Sequence, residues 1–189
     1  MKRCAQAVPF LPNGGDVVLK PEAVHIAHLP LLQAAFPEAR WVFLHRSLED
    51  VYASNVRLPG GSILTGQLDV TPFGLPPDLM RGVPFERYVA QIVAATGRMA
   101  LAQDARAPGL FMDHEQLNRG GVERMAAFFG LPLDASTTAR MSERLLRDAK
   151  DPTRPFTAPT SEPEPLHEDD ARLFDEVRAA LVARTGVER

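Results

Sequence analysis

Several things are scarce in this chain of 189 residues. Cysteine occurs once, at Cys4, which excludes an internal disulfide and a cysteine metal cluster. No apolar run approaches the ~18 residues of a membrane span. Met1-Lys2-Arg3 is basic, but Pro9 and Pro12 break the next stretch before a signal-peptide core forms, so a cytoplasmic protein is expected. Positive charge is not in excess: the formal net charge is −3, which argues against a general nucleic-acid binder. An anionic small molecule would need a local basic pocket. No HxxxH or HExxH spacing occurs, so no metal is expected. There is no internal repeat. What is abundant is ordinary: 45% apolar and 24% charged residues, enough for one domain with a real core.

The most informative stretch is Glu38 to Ser54, EARWVFLHRSLEDVYAS. Trp41-Val42-Phe43-Leu44 reads as a strand buried on both faces. Ser47 reads as the N-cap of a helix, with Asp50 at capping-box spacing. Arg46 thus stands at the C-terminal end of a buried strand, where ligands bind in open α/β sheets. Ser54 lies two turns into the next helix. The two could converge on one anion, the arginine as a fork of donors and the serine as a single hydroxyl.

Elsewhere, strands are expected at Val17–Leu19 and Leu110–Met112. Helices are expected at His25–Phe36, Leu48–Arg57, Phe85–Asp104, Gly121–Phe129, Ala135–Ala149 and about 166–185. Residues 58–84 are rich in Gly and Pro and read as a lid or a flexible loop. Residues 151–165 read as a linker to the last helix. Strands alternating with helices imply an α/β domain over residues 1–189, with a parallel sheet covered by helices on both faces.

The segment AFPEARWVFLHRSLEDVYAS resembles the nucleotide-binding signature of PAPS-dependent sulfotransferases. So do Val17-Val18-Leu19-Lys20-Pro21, Phe111 to Leu117 and Arg124 to Pro132, in order, over roughly residues 5 to 135. The resemblance implies a sulfotransferase, P-loop NTPase-like fold. Arg46 and Ser54 would hold the 3′-phosphate of the co-substrate PAPS, and Lys20 would approach the transferring sulfuryl group, offsetting charge on the leaving oxygen. Many family members carry histidine two residues after that lysine. Here the position is Glu22, so Glu22 and His25 are the candidate general bases. The family's phosphate loop, of the type P-x-S-G-T-T, has no counterpart. Asn13-Gly14-Gly15-Asp16 reads as a turn, and the fold is expected to be N-terminally truncated.

The expected activity is sulfuryl transfer from PAPS to a hydroxyl or amine of a small-molecule acceptor. The alternative is a truncated or degenerate member that binds a nucleotide or a protein partner without catalysis. A nucleoside-kinase-like reading depends on the same missing loop plus a metal site. A sheet without its first strand should expose strand edges, so a homodimer is an expected assembly. Asp113-His114-Glu115 reads as a structural strand end, because successive strand residues alternate faces.

Overall fold

The computed structural model describes residues 18–64, 67–104, 109–147, 151, 153–155 and 164–185. Two strands form its sheet: β1 (Val42–His45) and β2 (Leu110–Asp113). They run parallel, with Val42 opposite Leu110 and His45 opposite Asp113. Parallel neighbours need a long crossover. Here it consists of α2 (Leu48–Arg57), α3 (Leu79–Gly82) and α4 (Phe85–Asp104). Ahead of β1 lie a 3₁₀ helix at Ala23–His28 and α1 (Leu29–Ala35). After β2 come α5 (Arg119–Phe129), α6 (Ala135–Leu145) and α7 (Glu168–Thr185).

The sheet alternates as its pleat requires. Trp41, Phe43 and Phe111 share one face, with ring centroids 5.7 Å apart for Trp41–Phe111 and 5.8 Å for Phe43–Phe111. The Arg184 guanidinium of α7 lies over Phe111. Met112, on the other face, is fully buried against α5. Helices therefore cover β2 on both sides. β1 is less enclosed: Leu44 is 41% exposed.

Two glycines permit this packing. A Cβ on Gly109 would lie 2.4 Å from the Trp41 ring. One on Gly121 would lie 1.9 Å from the Gln116 carbonyl oxygen. Both distances are far inside van der Waals contact, so only glycine fits.

The core is organised around α4. Val89, Ile92, Ala94 and Ala100 are fully buried, and Tyr88, Ala90 and Ala95 nearly so. A helix buried on several sides is central rather than amphipathic. It receives α2, α7 and the Ala23–His28 turn. Along α7 the buried stripe is Asp170, Phe174, Val177 and Leu181, at i, i+4, i+7 and i+11. Leu173 and Ala180, beside this stripe, are half-buried. Asp170 is tolerated inside because Arg87 grips it with a fork, Nε to Oδ2 at 3.0 Å and Nη2 to Oδ1 at 3.4 Å. That bond is also the main reason the Arg87 guanidinium is pushed above its ordinary pKa.

One expected strand is not formed. Val17 lies outside the described residues, and residues 18–20 have no sheet partner among them. Val18 is 67% and Leu19 60% exposed. A strand needs a neighbour for its N–H and C=O groups, and these residues have none in the two-stranded sheet. The segment 58–84 carries two 3₁₀ turns and α3, and it inserts Ile63, Val70 and Leu79 into the core. Much of the expected linker 151–165 lies outside the described residues. Its described part pairs Arg147 with Pro155 in an isolated antiparallel bridge. Among the described residues no helix is long and apolar enough to cross a membrane.

Candidate functional site

The candidate site begins at the C-terminal end of β1. Ser47 caps α2 as expected: its Oγ accepts the Asp50 N–H at 3.2 Å. The same hydroxyl donates to Glu49 Oε2 at 2.8 Å, and Glu49 Oε1 accepts from Arg178 of α7. The first turn of α2 is thus fixed both along the helix and across to α7.

Arg46, half-buried, folds back along that turn and donates from Nη2 to the Asp50 carbonyl at 3.1 Å. In an α-helix the carbonyl of residue 50 also accepts the N–H of residue 54. The Arg46 guanidinium and the Ser54 backbone N–H therefore share one carbonyl, and no hydrogen bond joins the two side chains. Ser54 is half-buried in turn. Asp50 acts through its backbone at both contacts, and its side chain is exposed.

Sequence reasoning passed over Arg57. Asp50, Ser54 and Arg57 recur at i, i+4 and i+7, one face of α2. Arg57 is exposed, and its Nε donates to the Ala53 carbonyl at 3.3 Å. The helical spacing itself was the available signal. Two guanidinium groups and a hydroxyl therefore belong to this turn-and-helix unit.

Beneath it lies a pair that only the strand register brings together. His45 Nδ1 is 4.0 Å from Asp113 Oδ2, with the side chains 7% and 5% exposed. The His45 ring stacks on Phe43 at 6.2 Å. Asp113 also accepts the Glu115 N–H at 3.0 Å, while its own N–H donates to Gln116 Oε1 at 2.9 Å. These bonds turn the chain out of β2, and His114 and Glu115 are exposed on the turn. No group of three or more metal-ligating side chains is present among the described residues.

Lys20, Glu22 and His25 lie on a different segment. All three are exposed. Glu22 opens the 3₁₀ helix, its carbonyl accepting the His25 N–H at 2.9 Å, and the His25 ring is 6.0 Å from that of His28. Val24 anchors the turn in the core against α4, which also carries α2. The two segments share that platform, but no hydrogen bond among the described residues links Lys20 or His25 to Arg46 or Ser54.

Two surface depressions lie elsewhere. One, about 390 Å³, sits between α4 and α7 beside Arg87, Arg98, Asp169 and Glu176. The other, about 410 Å³, lies along the second half of α6 and reaches Arg147 beyond its end. No protein-family model, curated protein or solved structure matches this chain.

Proposed function

We propose that this chain is a sulfotransferase-type α/β protein whose β1–α2 unit binds the 3′-phosphate of PAPS. The observation that carries the reading is the position of Arg46. It leaves the C-terminal end of a parallel strand and lies along the first turn of α2, on the same helical stretch as Ser54. A phosphate placed there would take the arginine's remaining N–H groups and the serine hydroxyl, with Arg57 one turn further on. Charge-assisted bonds of this kind contribute about 1.5–3 kcal/mol each. The full reading is sulfuryl transfer to a hydroxyl or amine of a small-molecule acceptor.

A second reading, nucleotide binding without transfer, is favoured by one observation. Lys20, Glu22 and His25 are all exposed, on a segment that forms no strand. A general base needs to lie within hydrogen-bond reach of the acceptor hydroxyl, and electrostatic stabilisation is strongest where water is excluded.

Calorimetry with adenosine 3′,5′-bisphosphate and adenosine 5′-monophosphate tests the shared step, since the two differ only by the 3′-phosphate. The bisphosphate is expected to bind at least about tenfold more tightly, because ~1.4 kcal/mol is tenfold in affinity. Arg46→Ala is expected to remove most of that preference and Ser54→Ala a smaller part, with the fold intact. Equal affinities, or a preference untouched by Arg46→Ala, would overturn the site. A transfer assay with labelled PAPS then separates the two readings.

A further inference from the structure

HxxxH spacing pairs histidines on an α-helix, and it is absent here. His25-Ile26-Ala27-His28, however, lies in a 3₁₀ helix. That helix has three residues per turn, so side chains at i and i+3 eclipse. The backbone bonds carry this period through the segment: the His25 N–H donates to the Glu22 carbonyl at 2.9 Å, and the Leu29 N–H to the Ile26 carbonyl. Six residues is long for a 3₁₀ helix. It is held in place from below, with Val24 and Leu29 buried, Ile26 packed on the core, and α4 beneath.

The two rings stand above this fixed backbone. Both residues are exposed, and the ring centroids are 6.0 Å apart with the planes at 38°. That separation matches the rise of about 6 Å over three residues of such a helix. Neither ring serves the fold. His28 occupies the N-cap of α1 without a side-chain cap bond. Among the described residues the rings make no contact beyond each other.

A metal ion binds imidazole nitrogen at about 2.0–2.1 Å, which sets it roughly 3 Å from the ring centre. Two rings on one ion therefore have centres about 4.5–6 Å apart, from a right-angled to a linear arrangement. The observed spacing lies at the upper end of that range. Rotation of the exposed side chains aims both nitrogens at one ion with no movement of the backbone.

We infer that His25 and His28 form a two-histidine chelate for a late first-row divalent transition metal. Imidazole suits copper, nickel and zinc, whereas magnesium and calcium prefer oxygen. Once one ring is bound, the helix holds the second at high effective concentration. The protein supplies two ligands, and water or a small anion completes the shell. The site does not depend on the nucleotide reading.

Titration of the full chain with Cu²⁺, followed by calorimetry and electron paramagnetic resonance, tests it, since affinity in this series peaks at copper. One tight ion per chain is expected, with hyperfine coupling to two imidazole nitrogens. His25→Gln and His28→Gln are each expected to weaken binding at least about tenfold, with an unchanged circular dichroism spectrum. A lone-histidine site would respond to only one of the two. His114→Ala, His167→Ala and Arg46→Ala are expected to leave the affinity unchanged, and excess Mg²⁺ is expected not to displace the copper. Absence of saturable binding, a single nitrogen coupling, wild-type affinity in either glutamine variant, or loss of binding with His114→Ala or His167→Ala would overturn the inference.

Discussion

β1 and β2 leave the sheet in similar ways, and their surroundings make the exits different. Each strand ends at a polar residue and leads into a capped helix. Ser47 Oγ accepts the Asp50 N–H to open α2, and Asn118 Oδ1 accepts the Gly121 N–H at 3.1 Å to open α5. All four residues of β2 are buried, and its terminal carboxylate is consumed by its own turn and by His45. β1 keeps Leu44 partly exposed and sends Arg46 out beside the Ser54 face of α2. The same local chemistry thus serves packing at one strand end and leaves a half-buried and an exposed arginine, Arg46 and Arg57, at the other. Enclosure, rather than the capping residue, makes the difference.

The sharpest way to break this contrast is to truncate each strand's outer-face side chain. Met112→Ala removes a fully buried side chain held against α5. It is expected to cost about 2–5 kcal/mol, the range for large-to-small changes in cores. Leu44→Ala, at 41% exposure, is expected to cost about 1 kcal/mol or less. Chemical denaturation of the two variants measures the gap. Similar losses would mean that β1 is as enclosed as β2.

What the sequence revealed follows the same division between local and non-local causes. Trp41 to Leu44, the Ser47 cap and the bounds of α2 and α4 were legible because neighbouring residues decide them. The strand expected at Val17–Leu19 has the right residue types, but a strand also needs an adjacent edge, which no local pattern reports. Asp170 lies in the first turn of α7 and is buried there. Its burial depends on Arg87, eighty-three positions away. Ile63, Val70 and Leu79 enter the core singly, so residues 58–84 show no period. The placement of Arg46 at the strand exit and Ser54 on α2 was legible because eight residues of strand exit and helix relate them. The His45–Asp113 pair was not, because only the sheet register sets those two side by side.

A smaller effect sharpens the comparison of the two caps. Ser47→Ala and Asn118→Ala each remove an N-cap acceptor and are each expected to cost about 1 kcal/mol. Their effects on binding should differ. Ser47 fixes the turn whose Asp50 carbonyl holds Arg46, so Ser47→Ala is expected to reduce the preference for the 3′,5′-bisphosphate severalfold. Asn118→Ala is expected to leave that preference unchanged. Paired melting and calorimetry experiments read both quantities, and equal binding losses would show that Arg46 is not positioned by its cap.

The smallest effect concerns the buried side of α2. The chain has two tyrosines, both buried: Tyr52 on α2 and Tyr88 on α4. Tyr52 donates its hydroxyl to the Pro165 carbonyl at 2.9 Å and packs edge-on to Phe174. Burial, reinforced by Glu86, Glu164 and Asp170, raises its pKa; burial alone raises that of Tyr88. A phenol whose folded pKa lies above its unfolded value near 10 favours the neutral form. Its contribution is complete below that unfolded value and is lost as pH rises through the folded one. Ultraviolet titration is therefore expected to show neither phenol ionising at its ordinary pH. The two hydroxyls differ, since that of Tyr88 has no hydrogen-bond partner among the described residues. Tyr52→Phe is expected to cost about 0.5–1.5 kcal/mol at neutral pH, the net worth of a typical hydrogen bond. Tyr88→Phe, which removes an unsatisfied buried hydroxyl, is expected to be neutral or slightly stabilising. The reverse order would mean that the Tyr52–Pro165 bond does not hold α2 to the segment leading into α7.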